Sequence, residues 1–269
     1  MSPMVDAHCH LDDPRLDAIR EGAIADARAV GVGGWVLGGV DGAQWRRARA
    51  LAAETPGVLL TEGLHPLVAA TLTAAARQEA LAGIERDGIV AIGETGLHLL
   101  GEARAHRDAQ VASLRDHLAL ARDWGLPVVL HVVGAHGATL SLLREDGVLQ
   151  GGWVHSFTGP VDVAREYLRL GLSLSFSASF LRASPARGVD VVRAVPGDRL
   201  LIETDCPDQA PPARLVMKGS SRPLNRPAWL VDVAVAVAAV REEPMAEVAR
   251  RSTENLGRIL NRHDVTSSR

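Results

Sequence analysis

Short runs of apolar, often β-branched residues recur along the chain, and between them lie longer stretches in which Ala, Leu and Arg repeat at helical spacing. The runs at 5–10, 34–40, 58–65, 89–96, 127–133, 152–157, 172–177 and 200–205 are mostly too short and too β-branched for helices, and are predicted as strands. Helical spacing predicts helices over 16–30, 44–54, 73–86, 105–124, 161–169 and 227–240, and a last one over 245–260. Strands that alternate regularly with helices imply parallel βαβ units. About eight such units over roughly 250 residues match a (β/α)8 TIM barrel of the α/β class. An open doubly wound sheet is the rival, because ring closure leaves no mark on a sequence. No domain boundary is visible, so residues 1–269 are expected to form one domain. The one long irregular stretch, 207–226, follows the last strand and contains Pro207, Pro211, Pro212, Gly219 and Pro223. It reads equally as a functional loop and as a surface excursion. The polar tail after Arg262 is expected to fray.

Buried strands should be apolar, yet several of these end in ionisable residues. In the first, Asp6-Ala7-His8-Cys9-His10, alternation sends His8 and His10 to one side and Cys9 to the other. Two adjacent imidazoles repel when charged, and a divalent metal resolves the conflict. Later strands end at His65, Glu94, His131, His155 and Asp205. One such residue alone is more often a hydrogen-bonded structural group than a ligand. In a barrel, however, C-terminal strand ends converge on one face, where clustered carboxylates and imidazoles are costly without a metal. His8, His10, Glu94, His131, His155 and Asp205 exceed the needs of one tetrahedral zinc. Glu94 could bridge two ions roughly 3.5–4 Å apart. The expected cofactor is therefore two divalent ions of Zn, Mn or Mg, and the chemistry they suit is hydrolysis.

Composition narrows the setting. With 47% hydrophobic and 23% charged residues over 269 positions, the chain can bury a core, which excludes bulk disorder. A net charge of −3 supplies no bulk basic field for nucleic acid or anionic lipid. Two cysteines, Cys9 and Cys206, exclude a disulfide scaffold. No signal-peptide pattern and no apolar run of about 18 residues is seen, so a cytoplasmic protein without membrane spans is expected. Aromatics are only 3%, and the five tryptophans read as packing residues rather than a base-stacking groove.

With these residues assembled, the sequence resembles the TatD family of metal-dependent hydrolases, part of the amidohydrolase-like superfamily, across nearly its whole length. The carrying motifs are Asp6-Ala7-His8-Cys9-His10-Leu11-Asp12, Gly63-Leu64-His65-Pro66, Ile92-Gly93-Glu94-Thr95-Gly96-Leu97, Leu126-Pro127-Val128-Val129-Leu130-His131, His155-Ser156-Phe157-Thr158-Gly159 and Leu200-Leu201-Ile202-Glu203-Thr204-Asp205-Cys206-Pro207. Asn225-Arg226-Pro227 and Asn255 fall at the family's later asparagines. The resemblance implies a TIM barrel in which His8, His10, Glu94 and Asp205 hold one ion, with Glu94, His131 and His155 at the other. It further implies that Asp205 orients or deprotonates the attacking water, with Glu94 as the second catalytic residue. His65, His98 and Ser156 are the expected substrate contacts. The activity it implies is that of a deoxyribonuclease, often a 3′ exonuclease.

The chain also departs from that pattern. His98 and Leu99 stand where the family has Asp and an aromatic, and Leu67 stands for a histidine. Val133 replaces an arginine able to bind phosphate, and Asp208-Gln209 replace Tyr-Leu. Valine cannot reproduce a bidentate guanidinium fork. Arg182, Arg187, Arg214, Lys218, Arg222 or Arg226 could restore the charge from loops of the same face. His98 is expected to hydrogen-bond within the site rather than bind the metal itself. His106, His117 and His263 are expected on the surface or on helices. Three functions follow: a metal-dependent hydrolase of DNA ends or another phosphoester; an amidohydrolase-like enzyme on a non-nucleic amide, ester or lactone; and a subunit of a larger assembly. A monomer is expected.

Overall fold

A computed structural model describes residues 3–147, 150–181, 185–215 and 223–261. Eight strands, β1 (Met4–Cys9), β2 (Val32–Leu37), β3 (Val58–Glu62), β4 (Ile89–His98), β5 (Val128–Val133), β6 (Gly152–Val154), β7 (Ser173–Phe176) and β8 (Leu200–Ile202), pair in sequence order. All seven pairings are parallel. Around them lie α1 (Arg20–Ala29), α2 (Gly42–Glu54), α3 (Pro66–Ala69), α4 (Ala74–Ala82), α5 (Arg107–Trp124), α6 (His136–Asp146), α7 (Val161–Arg169), α8 (Pro185–Ala194), α9 (Leu230–Arg241) and α10 (Met245–Ile259). The architecture is a (β/α)8 barrel.

The ring closes without a regular β8–β1 ladder. In the upper half, residues past β8 do the pairing: Asp205 N–H donates to the His8 carbonyl at 3.0 Å, and His10 N–H to the Cys206 carbonyl at 2.7 Å. The buried Asp6 carboxylate accepts from Thr204 N–H at 2.8 Å and from the Thr204 hydroxyl at 2.5 Å. In the lower half, α10 lies across the seam. Its Ser252 hydroxyl accepts from Ile202 N–H at 2.9 Å, and its Thr253 hydroxyl accepts from Val5 N–H at 3.2 Å. Backbone donors that a ladder would use are thus satisfied by side chains.

Alternation along the strands divides the core in two. Val36, Leu59, Val129 and Leu201 form an inner cluster closed by Leu256 and Leu260, while Leu37, Leu60, Leu130 and Ile202 belong to the layer between sheet and helices. Trp35 and Trp153 are fully buried and Trp45 nearly so, as packing residues should be.

The structure trims several expected elements. The 16–30 helix is a 3-10 turn, Pro14–Leu16, followed by α1. The fourth helix ends at Ala82, before Gly83, rather than at residue 86. The strands expected over 58–65, 152–157 and 200–205 stop at Glu62, Val154 and Ile202. The residues beyond these ends are no longer regular strand, though His155 and Asp205 still donate N–H bonds to the Leu130 and His8 carbonyls.

Candidate metal centre

The site is organised around one carboxylate. Glu94 on β4 is 1% exposed, and imidazoles approach both of its oxygens. Around Oε2, His8 Nε2 lies at 3.3 Å and His10 Nε2 at 3.7 Å. Asp205 Oδ1 lies 3.7 Å from His8 Nε2 and 3.6 Å from His10 Nε2. Around Oε1, His131 Nδ1 lies at 2.6 Å, His155 Nε2 at 2.8 Å and His65 Nε2 at 3.6 Å. His131 Nδ1 and His155 Nε2 are 3.0 Å apart.

A tetrahedral ion with bonds of about 2.0–2.1 Å sets its donors about 3.3–3.4 Å apart. The spacings at Glu94 Oε2 are close to that value; those at Oε1 include hydrogen-bond lengths. His8 Nδ1 and Nε2 and Glu94 Oε2 are buried and have no hydrogen-bond partner. Unpaired buried lone pairs of this kind are satisfied by a divalent cation, so the donor set fits one. Three groups could each hold an ion: His8–His155–Asp205, His8–His10–Glu94 and His65–Glu94–His131.

The electrostatics are strongly coupled. Burial opposes charge on Glu94, yet His155, His65, His8 and His131 outweigh it and hold the carboxyl well below its usual range. Burial raises Asp205 despite the pull of His155, His8 and His10. Burial also lowers His8, with neighbouring His155 adding to the effect, and pushes His65 down to about 3. His155 moves the other way: burial opposes its charge, but Glu94 and Glu203 raise it well above normal.

A family model described as TatD related DNase matches residues 5–261. The chain belongs to this TatD family. It is 33% identical over 262 residues to the "uncharacterized metal-dependent hydrolase YabD" of Bacillus subtilis, covering 96% of this chain and 98% of that one. It is 34% identical over 263 residues to the "3'-5' ssDNA/RNA exonuclease TatD" of Cronobacter sakazakii, covering 96% and 97%. The crystal structure of YjjV, a TatD homolog from Escherichia coli K12, superposes with a TM-score of 0.85 at 28% identity, covering 96% and 98%. The protein is a TatD-family metal-dependent hydrolase.

All six expected ligands meet in this TatD centre. His65, expected as a substrate contact, joins them and also caps α3, its Nδ1 accepting Leu67 N–H at 3.2 Å. His155 and Asp205 stand beyond their strands, and Asp205 has a left-handed φ of 55°. Ser156, with φ 46°, belongs to a hydroxyl cluster: its Oγ is 2.9 Å from Ser177 Oγ and 3.0 Å from Ser179 Oγ. The Ser156 and Ser177 hydroxyls both donate to Gln209 Oε1, and the Gln209 amide donates to Asp205 Oδ2. Asp205 Oδ1 is thereby left facing His8 and His10. His98 stays outside the Glu94 cluster, with its Nδ1 3.1 Å from His131 Nε2.

Sequence reasoning gave no role to Glu203 or Gln209. Glu203 is fully buried, accepts Ser156 N–H at 2.6 Å and lies 3.5 Å from His155 Nδ1. A second acidic residue two positions before Asp205 was the available signal. The missing role of Gly38 is steric. A Cβ there would lie 2.4 Å from His8 Cε1 and 2.9 Å from His10 Cε1.

Other expectations settle differently. His117 is on α5 but fully buried: its Nε2 accepts Leu64 N–H at 2.9 Å and its Nδ1 lies 2.6 Å from the Ser113 carbonyl. Asn225 and Asn255 are structural. Asn225 donates to the Thr204 carbonyl at 2.7 Å, and Asn255 holds the carbonyls of Gly197 and Leu200, each at 2.8 Å. Of the candidate cations, Arg214 pairs with Asp232 at 3.0 Å and Arg226 lies 4.0 Å from Asp26. Arg187 is an exposed residue of α8. Arg182, Lys218 and Arg222, like His263, lie outside the described residues. Among the described residues, Arg15 and Arg47 line a cleft of about 270 Å³ that shares His10 and His65 with the centre. Among the described residues no helix is long and apolar enough to cross a membrane.

Proposed function

We propose that this TatD-family hydrolase is a phosphodiesterase that trims nucleic-acid ends at a two-ion centre. The carrying observation is the convergence of separate donor sets on the two oxygens of the buried Glu94 carboxylate. In this reading His8, His10, Glu94 and Asp205 hold one ion, and Glu94, His131 and His155 hold the other. Bound divalent ions would supply a nucleophile from water near neutral pH and a positive clamp on the attacked phosphoryl group.

The chain's own groups do the rest. Asp205 Oδ1 faces the mouth beside His8 and His10, where it orients the attacking water and can accept its proton. Gln209 fixes the other Asp205 oxygen. Glu94 carries negative charge between the donor sets. His65, on the side of Glu94 Oε1 next to the cleft, contacts substrate. The exonuclease name of the Cronobacter sakazakii relative supports the choice of a nucleic-acid end.

A second reading, hydrolysis of a non-nucleic amide, ester or lactone, draws on one observation. The cleft beside the centre is lined by Asp12, Asp13, Asp41 and Asp208 against Arg15 and Arg47, so its walls do not favour a run of phosphates. End-labelled single- and double-stranded DNA, incubated with Mg, Mn or Zn, decides between them. Metal-dependent shortening that Asp205→Asn slows by about 100-fold or more supports the phosphodiesterase. Intact DNA from a metal-loaded protein that still hydrolyses an amide, ester or lactone overturns it.

A further inference from the structure

The two imidazoles nearest Glu94 Oε1 have different partners behind them. His155 Nε2 faces Glu94, and its other nitrogen, Nδ1, lies 3.5 Å from the buried Glu203 carboxylate. His131 Nδ1 faces Glu94, and its other nitrogen, Nε2, lies 3.1 Å from His98 Nδ1. One outer partner is a carboxylate; the other is an imidazole.

The His98–His131 contact is an in-plane hydrogen bond rather than a stack. The ring planes are within 17° of parallel and the centroids are 5.3 Å apart. That separation matches the 3.1 Å nitrogen–nitrogen contact plus about 1.1 Å from each nitrogen to its ring centre. The rings therefore lie end to end. A neutral imidazole has one N–H and one lone pair. For His131 to turn its Nδ1 lone pair toward the centre, Nε2 must carry the hydrogen, and His98 Nδ1 must accept it.

The backbone holds His98 in place for this. Its N–H donates to Gln110 Oε1 at 2.7 Å, and the Gln110 amide donates back to the His98 carbonyl at 3.2 Å and to the Ala103 carbonyl at 2.8 Å. Gln110 is fully buried on α5. Leu99 N–H closes onto the Val133 carbonyl at 2.8 Å, and His98 pairs with Val133 across the β4–β5 ladder. At Gly96 the strands approach so closely that a Cβ would lie 2.0 Å from the His131 carbonyl oxygen, which fixes one ligand strand against the other.

We propose that His98 is a positioning residue that sets the tautomer of His131, and that its uncharged acceptor makes His131 a weaker ligand than a carboxylate at position 98 would. The inference rests on the two-ion reading above. A carboxylate behind a ligating histidine raises the basicity of the ring, and such outer partners change metal affinity by about 10–100-fold. A neutral imidazole orients His131 without that charge.

Substitutions at 98 separate orientation from charge, because Asp and Asn place an oxygen close to where histidine has Nδ1. Metal-free protein is titrated with Zn²⁺ by calorimetry, and Co²⁺ absorption is recorded in parallel. Circular dichroism checks that each variant is folded. Relative to wild type, His98→Asn keeps a neutral acceptor and should bind the ion on the His131 side with similar affinity. His98→Asp should bind it about tenfold tighter, and His98→Leu about tenfold or more weaker. The ion held by His8 and His10 should be unchanged throughout. A flat series, or an Asn variant that matches Leu, overturns the inference. His131→Ala locates any failure. If it loses one of two ions while the His98 series is flat, only the role of His98 falls. If the wild type takes up a single ion that His131→Ala leaves unchanged, the two-ion reading and the inference fall together.

Discussion

His117 is a polar residue that folding converts into a structural one. Burial lowers its pKa from 6.5 to about 4, against the hydrogen bond to the Ser113 carbonyl. Its neutral form accepts Leu64 N–H, next to His65. A depressed folded-state pKa means the unfolded chain takes up the proton first as pH falls. The stability from neutral burial is therefore complete above about 6.5 and is lost progressively toward 4. Between pH 7 and pH 5 the wild type should lose about 2 kcal/mol more unfolding free energy than His117→Gln, which keeps an acceptor for Leu64. Urea denaturation at the two pH values measures this; equal losses would show that His117 is not buried neutral. Its helical context was legible in the sequence. Its burial was not, because the partner that needs it, Leu64 N–H, is 53 residues away.

At the scale of the elements, the site depends on strands ending early. β3, β6 and β8 stop before His65, His155 and Asp205, and these residues sit on irregular segments held at the mouth by N–H bonds to the carbonyls of Val40, Leu130 and His8. The strands expected from the sequence ran on to His65, Phe157 and Asp205 and so overran these ends. β2 contributes through what it lacks: after Leu37 the chain runs Gly38-Gly39, and the rings of His8 and His10 occupy the space a side chain at 38 would take. Gly38→Ala should displace both rings and weaken metal binding by about tenfold or more. Overpacking there should cost about 1–3 kcal/mol of stability. Calorimetric titration with Zn²⁺ alongside thermal melts checks this; unchanged metal affinity would mean the rings can move away freely.

The whole molecule matters because only ring closure brings β1 and β8 together. His8 and His10 meet Asp205 because residues 204–206 pair with β1 above and α10 seals the seam below. Glu94 and His131 arrive from the opposite side of the barrel. A ligand that binds only the folded ring stabilises it by about 2.7 kcal/mol at a concentration 100 times its Kd. For a chain of this size that corresponds to a rise in melting temperature of about 5–10 °C. Adding Zn²⁺ or Mn²⁺ to chelator-stripped protein should produce such a rise, and His8→Ala should remove most of it. Scanning calorimetry with and without the ion is the measurement; an equal rise in the variant would place the ion elsewhere.

The sequence by itself determined the alternation of eight strands with helices, the six candidate ligands and the direction in which His8 and His10 point. These follow from local periodicity and from polar residues that interrupt apolar runs. It also showed where the chain departs from its family, at Leu67, His98, Leu99, Val133 and Gln209. Only the tertiary structure decided ring closure, the grouping of donors on the two oxygens of Glu94, and the outer partners Glu203 for His155 and His98 for His131. Among the described residues, the cations of the adjoining cleft are Arg15 and Arg47. The physical reason is the same throughout. Periodicity tells which side of an element a residue faces, whereas a hydrogen bond or a shared ion needs two elements at a fixed distance, and that distance exists only once the barrel has closed.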